Sequence, residues 1–336
     1  MTQPDHAEQI AALQGQFQEL EQESQFDSIR QDMEAVAEQL RNLPDDIAAV
    51  RKRGYVFASY LEHKVEVLSS HWSQRSVSVR QMISHQAALL RDDVLRARAL
   101  LSAGKDVGAI TNAVNNLQSQ INTIKSNLSG QFSQLASDVS SAVAQVESIE
   151  WALSQRDEAS FPFLADENVF LAAKAEYVAT GRGKDDPDGI LYLTDQRLVF
   201  EQKETTGKTL GLFGGKKTQE LEWQVPLNQI GDVKAENKGL FGGKDMLNFT
   251  FKPGAPMNTA VVEVKGGVNC KFWAAQITRM IRDGASDERA IQPDAETLNA
   301  IRSAPTACPV CAATLPVLVA NQRQLECEFC GAVIRV

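Results

Sequence analysis

Apolar residues recur every three or four positions over most of the first 154 residues, which is the period of an amphipathic helix. This pattern predicts helices at about residues 5–43, 45–102 and 107–154. Pro44 separates the first two, because proline lacks a backbone donor and disfavours helical geometry in the residue before it. Gly104 lies between the second and third helices and suits a helix C-terminus.

The second and third predicted helices are long and joined by a short turn, which predicts an antiparallel coiled coil on the order of 70–85 Å in length. Residues 1–43 carry two basic and nine acidic side chains, whereas residues 44–103 carry nine basic and six acidic ones. This charge difference favours packing of the first helix against the second, and pairing with another copy of the chain stays open as the alternative. The third helix is rich in Asn, Gln and Ser, a neutral surface that favours lateral packing into a homo-oligomer.

After residue 160 the pattern changes to short apolar runs separated by turn residues, which is typical of β-strands. The clearest runs flank a polar break between Gly189 and Gln202 and predict a β-hairpin. Predicted strands lie at residues 168–174, 189–194, 197–203, 219–225, 229–236, 245–252 and 259–265. A helix follows, with Asn269 as its N-cap. Its apolar face is formed by Trp273, Ile277, Met280 and Ile281.

The hairpin region also resembles a known family. The stretch GILYLTDQRLVF at residues 189–200 follows DENVFL at 166–171 and precedes VPLNQI at 225–230. Together they are similar to GRAM and bacterial PH-like domains, whose hairpin reads G-x-L-x-L-T-x-x-R-L-x-F and is followed by an I-P-L-x-x-I strand. The resemblance covers about residues 160–284 and implies a seven-stranded PH-like β domain with a C-terminal helix.

Within the hairpin, side chains are expected to divide between the core and the turn. Asp195 and Arg197 fall at the polar break and are predicted to be turn residues. The core candidates are Leu191, Leu193, Leu198 and Phe200.

The segment GLFGGK occurs twice, at residues 211–216 and 239–244, each time where a connection between strands is expected. The resemblance to PH-like domains implies that such loops can insert apolar tips into an anionic membrane while lysines meet the headgroups. Docking on a protein partner, or folding back over the sheet, stays open. The residues predicted to make the contact are Leu212, Phe213, Lys216, Lys217, Leu240, Phe241 and Lys244.

Two CxxC pairs separated by fifteen residues predict a tetrahedral Zn²⁺ site near the C-terminus. Its ligands would be Cys308, Cys311, Cys327 and Cys330. The pattern looks like a zinc ribbon, in which residues 315–319 and 323–326 form a hairpin and residues 333–336 a third strand. Ala312 stands where glycine is usual and is expected to strain the first knuckle. Four thiolates close the coordination shell, so a catalytic role for this metal is not expected.

The chain has 336 residues and a formal net charge of −9, which disfavours nucleic-acid binding. A run of 18 apolar residues and a signal peptide are both absent from the sequence, which predicts a cytoplasmic protein, with peripheral attachment at the inner face of the membrane as an option. GLFGGK does not have the spacing of a phosphate-binding loop, and no nucleophile stands with a base in a recognisable motif. We therefore expect a protein that is not an enzyme.

These patterns predict a multidomain α + β protein. Its parts are a helical coiled coil at 1–158, the β domain at 160–284, a linker at 285–304 and the ribbon at 305–336. The leading functional hypothesis is a non-catalytic adaptor or scaffold that oligomerises or reaches through its helices and docks through its β domain. The alternatives are a structural protein that assembles into a soluble filament or ring and, less favoured, a ribbon-based nucleic-acid factor.

Overall fold

The computed structural model confirms the predicted mixed class, with long N-terminal helices, a seven-stranded antiparallel sheet and a four-cysteine cluster. Two compact units divide the chain: Met1–Ile47 with Leu61–Val146, and Ala48–Tyr60 with Glu147–Val336. The structure describes residues 6–181, 186–206, 216–238, 243–285, 288–291, 308–313, 315, 324–327 and 329–335.

Helices make up most of the first 157 residues. They are α1 (His6–Glu23), α2 (Asp27–Lys52), α3 (Leu61–Ala103), α4 (Val107–Gly130) and α5 (Ser133–Asp157). In the first unit, α1 packs against α3 and α4 of the same chain. Lys125 of α4 and Glu23 of α1 form an ion pair at 3.5 Å, and Arg98 of α3 pairs with Glu21. Of the two arrangements left open by the sequence, the structure shows packing within the chain.

The predicted first helix, 5–43, is wrong in two places. It breaks before α2, where Phe26 is fully buried with a φ of 57°. It also continues through Pro44, which lies inside α2. An interior proline costs about 3 kcal/mol, whereas each fully buried large apolar side chain contributes about 1.5–3 kcal/mol. The apolar stripe of α2 outweighs the proline because it is buried on both sides of it, at Leu40, Leu43, Ile47 and Val50.

The predicted second and third helices are also interrupted. Residues 53–60, between α2 and α3, are not helical. Gly54 has a φ of 90° and Ala58 a φ of 53°. The Arg51 guanidinium donates to the carbonyl oxygens of Tyr55 (3.0 Å) and Ala58 (2.9 Å), so a side chain stabilises the non-helical backbone. In the 107–154 helix, a short turn after Gly130 separates α4 from α5.

The second unit contains the seven-stranded sheet, in the order β4-β3-β2-β1-β7-β6-β5. Its strands are β1 (Val169–Tyr177), β2 (Asp188–Thr194), β3 (Arg197–Thr206), β4 (Lys216–Pro226), β5 (Ile230–Lys238), β6 (Lys244–Phe251) and β7 (Thr259–Val264). The hairpin of β2 and β3 pairs Leu193 with Leu198 and Leu191 with Phe200. All four predicted core residues of this hairpin are completely buried.

Helix α6 (Cys270–Asp283) follows the sheet and packs against β5 and β6. The Asn269 side chain accepts from the backbone N–H groups of Lys271 (2.8 Å) and Phe272 (3.3 Å), which confirms the predicted N-cap. The buried face of α6 contains Trp273, Ile277 and Met280. The seven strands and the C-terminal helix thus agree with what the PH-like resemblance implied about the fold.

The face of β2 and β3 that contains Tyr192 is covered as well. Phe161 and Tyr192 lie in a second apolar cluster, against which Trp151 of α5 packs. Gly189 of β2 approaches β3 so closely that an added Cβ would lie 1.9 Å from the carbonyl oxygen of Glu201. This position therefore requires glycine.

Candidate metal centre

The four predicted cysteine ligands converge at one point in the described part of the ribbon. Their sulfur atoms all lie within 4.8 Å of one another, and none of the cysteines forms a disulfide. Two sulfur pairs, Cys308 with Cys330 and Cys311 with Cys327, are 3.6 Å and 3.5 Å apart. Metal–thiolate bonds of about 2.3 Å in a tetrahedron place sulfur atoms about 3.8 Å apart. The donor set therefore fits a metal ion held by four thiolates.

The two CxxC knuckles have the same backbone geometry. Ala312 N–H donates to Cys308 O at 2.9 Å, and Gly331 N–H donates to Cys327 O at 2.8 Å. The last residue of each turn is left-handed, with φ of 60° at Ala312 and 69° at Gly331. The expected strain at Ala312 is thus present, because a Cβ is unfavourable in this region.

Local hydrogen bonds prepare one ligand for metal binding. The backbone N–H of Cys311, followed by that of Val310, stabilises the Cys308 thiolate and lowers its pKa to about 7. A thiol must lose its proton to bind a metal, and Cys308 is prepared for this. The backbone N–H groups of Ala313 and Ala332 act in the same direction on Cys311 and Cys330, but the neighbouring thiols outweigh them and raise the pKa of both.

The described residues of the ribbon form a small apolar core. Its described strands are β8 (Gln324–Glu326) and β9 (Val333–Arg335), which pair in antiparallel fashion. The predicted strand at 315–319 lies outside the described residues except for Leu315. The buried residues of this core are Cys308, Leu315, Leu325 and Cys327. Two of these four are candidate metal ligands, so the cysteine cluster lies within this core.

The hairpin turn of the β domain contains a buried ion pair that the sequence did not indicate. Arg197 donates to Glu167 from Nε (2.8 Å) and Nη2 (2.9 Å), and its Nη2 also donates to the carbonyl oxygen of Pro162 (2.8 Å). Thr194 Oγ1 donates to Glu167 at 2.7 Å. Arg197 was predicted as a turn residue. Its side chain is nevertheless buried, and its ion pair with Glu167 joins the hairpin to the segment before β1.

A second buried carboxylate, Glu201, connects β3 to the chain that follows α5. It accepts from Ser160 N–H (2.6 Å), from the Tyr192 hydroxyl (3.0 Å) and from the Gln219 amide (3.0 Å). Burial, and then the neighbouring Glu201 charge, raises the pKa of Tyr192 above its usual value. These hydrogen bonds hold neighbouring segments together, so the role of Glu201 is structural.

The segment between α2 and α3 forms part of the second unit. Phe57 is fully buried and packs edge-on against Phe170 of β1, with ring centroids 4.9 Å apart. The Tyr55 hydroxyl donates to Phe170 O at 3.3 Å, a bond between residues 115 positions apart. Ala290 N–H donates to Val56 O at 2.8 Å, so residues after α6 cover the same segment.

Arg289 joins this segment to the hairpin turn. Its guanidinium lies 4.8 Å from the centre of the Phe57 ring and pairs with Asp195. Asp195 also accepts from Asn168 N–H at 2.8 Å. Asp195, predicted only as a turn residue, therefore connects three segments of the second unit. Sequence reasoning missed this site, although the consecutive apolar residues at 55–57 depart from a helical period and were a signal for it.

The two GLFGGK segments lie in the sequence between β3 and β4 and between β5 and β6, and their last residues, Lys216 and Lys244, begin β4 and β6. Four of the predicted contact residues, together with the Lys216 side chain, lie outside the described residues: Leu212, Phe213, Leu240 and Phe241. Lys217 is exposed. Lys244 is also exposed but pairs with Glu263 at 2.7 Å, which neutralises part of the charge available to a partner.

No model of a known protein family matches the chain, and no curated protein matches it. Among solved structures it is similar to the C-terminal domain of an unknown protein from Leishmania infantum, at 13% identity over 35% of this chain and 87% of that one, with a TM-score of 0.23. It is also similar to the DH/PH domains of PDZ-RhoGEF in complex with activated RhoA, at 12% identity over 79% and 95% of the two chains, with a TM-score of 0.29.

A further similar structure contains the DH/PH domains of p115-RhoGEF, at 13% identity over 79% of this chain and 94% of that one, with a TM-score of 0.24. At TM-scores of 0.23 to 0.29, these likenesses define neither the fold nor the function of this chain. Within the described residues, no helix is both long and apolar enough to span a bilayer.

Proposed function

We propose that the protein is a non-catalytic scaffold whose β domain is a GRAM- or PH-like module that docks on an anionic membrane surface, and whose ribbon holds Zn²⁺. One observation carries the docking proposal: the same apolar, glycine-framed sequence occurs between two pairs of adjacent antiparallel strands, β3 and β4 and then β5 and β6, of one β domain. A repeat placed twice in loops of a single fold favours a shared contact surface over two unrelated turns.

The magnitudes favour a contact that uses both loops. A Leu-Phe pair contributes about 3–6 kcal/mol when fully buried, and a lysine about 1 kcal/mol near an anionic leaflet. Association itself costs about 4–15 kcal/mol, so a single loop is insufficient for stable attachment. Because Lys244 already pairs with Glu263, the apolar tips would provide most of the free energy of binding. Such a protein would sit in the cytoplasm at the inner face of the membrane.

The non-catalytic part of the proposal is supported by what the buried ionisable groups do. Glu167, Arg197 and Glu201 each hold neighbouring segments of the β domain together through several hydrogen bonds. Four thiolates around a metal leave no open coordination position for a substrate.

Flotation with vesicles of phosphatidylcholine and phosphatidylserine tests membrane docking. The wild-type protein should float with the vesicles, and the variant with Leu212, Phe213, Leu240 and Phe241 all changed to Asp should not. A matched control changes three exposed apolar residues of α3 to Asp and should float like the wild type: Val77, Leu89 and Leu95. Failure of the wild type to float, or equal flotation of the four-residue variant, would reject membrane docking and leave a protein partner as the alternative.

Metal analysis of the purified protein tests the identity of the ion. We expect one zinc per chain, and after replacement by Co²⁺ we expect the intense thiolate-to-metal absorption of a tetrahedral four-sulfur site. Cys311→Ser should weaken the ion's retention, whereas Cys270→Ser, in α6, should leave the metal content unchanged. Retention of a full equivalent by the Cys311 variant would contradict the four-thiolate assignment.

A further inference from the structure

The exposed surface of α4 and of the first part of α5 has almost no charge. Between residues 107 and 146, all of which the structure describes, 19 residues are exposed and one of them, Asp138, is charged. Most of the others are Asn, Gln, Ser or Thr, such as Asn115, Ser119 and Asn122. They recur at three and four positions, so they form a continuous stripe along the helices. We call this the uncharged face.

The other long helices of the first unit expose many charges. Exposed charged residues of α2 include Asp32, Glu34 and Glu38, and those of α3 include Arg75 and Arg80. Soluble surfaces normally carry about 25–35% charged residues. The uncharged face is therefore a local departure from an otherwise ordinary charged surface.

This difference decides which surface can meet a second copy of an acidic chain. Two copies that meet through the acidic side of α1 and α2 would place like charges together, which is unfavourable. Burial of an unpaired charge costs much more than burial of an amide or hydroxyl group that finds a hydrogen bond. Two uncharged faces meet without either cost.

The side-chain chemistry also favours a second copy over a different partner. Asn and Gln each carry both donors and acceptors, and Ser and Thr hydroxyls do the same. A stripe of such groups complements itself when it is turned about a twofold axis, as an isologous dimer requires. A strongly charged partner would find a single exposed charge, Asp138, on this face.

We infer that the uncharged face of α4 and α5 is the surface through which two copies of this chain associate. The dimer contact adds self-association to the proposed scaffold function. It depends on that proposal only for its biological purpose. Flotation through the β-domain loops and self-association through the helices are measured separately, so either can fail while the other holds. The contact is polar and reversible, because exposed large apolar residues are absent from this face within the described range.

Sedimentation velocity over a wide concentration range tests the inference. The wild type should dimerise with rising concentration, and N115E/S119E/N122E should weaken the dimer at least about tenfold, since like charges then face each other. The control S28E/Q31E/A35E adds three like charges at helical spacing to exposed positions of α2 and should dimerise like the wild type. A monomeric wild type, or equal weakening in both variants, would overturn the inference.

A second measurement needs no variant. Contacts between uncharged groups are little screened by salt, whereas the repulsion between two copies of net charge −9 weakens as salt is added, so dimerisation of the wild type should be unchanged or stronger when the salt concentration rises from low to physiological values. A dimer that dissociates steeply with added salt would be held by charged surfaces elsewhere, and the uncharged face would then be excluded. Equal circular dichroism of the two triple variants would show that both retain their helices.

Discussion

The β domain and the ribbon enclose very different amounts of apolar side chain. In the β domain, complete rings and branched chains such as Tyr192, Phe200 and Leu247 have no exposed surface, and α6 covers the sheet. In the described ribbon the buried residues number four, and two of them are cysteine ligands. We therefore expect the β domain to remain folded after it loses one interaction, and the ribbon to depend on metal binding.

Removal of the metal should have the largest effect and should separate the two regions. Structural zinc sites contribute about 10–16 kcal/mol of binding free energy, which in a ribbon of this size is also folding free energy. After chelation, hydrogen exchange should show loss of protection at residues 324–335 and little change at residues 189–202. Added zinc should restore the protection. Persistent protection of the ribbon without metal would show that its apolar core is sufficient.

Within the β domain, breaking the buried ion pair should have the next largest effect. Arg197→Met leaves the Glu167 carboxylate buried without its partner, which costs about 3–5 kcal/mol. Faster hydrogen exchange of the β2–β3 hairpin would report this loss. The double variant Arg197→Met with Glu167→Met removes both charges and should be closer to the wild type. If the single and double variants exchange alike, the ion pair does not control hairpin stability.

A steric change at Gly189 should be smaller. Gly189→Ala introduces a Cβ that would lie 1.9 Å from Glu201 O, so β2 and β3 must separate locally. Overpacking of this kind costs about 1–3 kcal/mol and should lower the melting temperature of the β domain. Gly15→Ala in α1 is the control, because an added Cβ there meets no atom within 4 Å. An unchanged melting temperature for Gly189→Ala would show that the strands move apart freely.

The smallest expected effect concerns the two metal knuckles. Ala312→Gly should strengthen metal binding, and Gly331→Ala should weaken it, because each residue has a positive φ. A Cβ in this region costs about 1–2 kcal/mol. Competition with a chromophoric chelator should therefore show opposite changes of about fivefold or more. Changes in the same direction would mean that backbone strain does not limit the affinity.

Local patterns predicted the elements that local interactions stabilise. The hairpin core, the α6 N-cap and the four cysteines were recognisable because the alternation, the capping residue and the ligand spacing are each encoded within a few neighbouring residues. Pro44 was misinterpreted as a helix end because the burial of α2 on both of its sides is a tertiary effect. Phe26 and Ala58 adopt left-handed backbone conformations. Because neither residue is glycine, the sequence does not indicate these conformations.

The limits of the β domain were the least visible in the sequence. The resemblance covers about residues 160–284, yet Phe57 and Arg289 both lie outside that range. They contact each other, and Arg289 pairs with Asp195 at the hairpin turn. Residues distant in sequence complete the domain, and their pairing depends on a fold that periodicity does not describe. A fragment limited to 160–284 would leave Phe170 without the Phe57 ring that covers it.

The docking of Tyr55 and Phe57 also sets an order of events during synthesis. These aromatic residues leave the ribosome well before Phe170, to which Tyr55 is bonded across 115 positions, and before Ala290, which closes over Val56. Chains generally fold from the N-terminus as they emerge. Here Tyr55 and Phe57 can meet Phe170 once β1 is made, but the contacts with Arg289 and Ala290 form only after the C-terminal end of the β domain is made, so the final closure of this domain is late in translation.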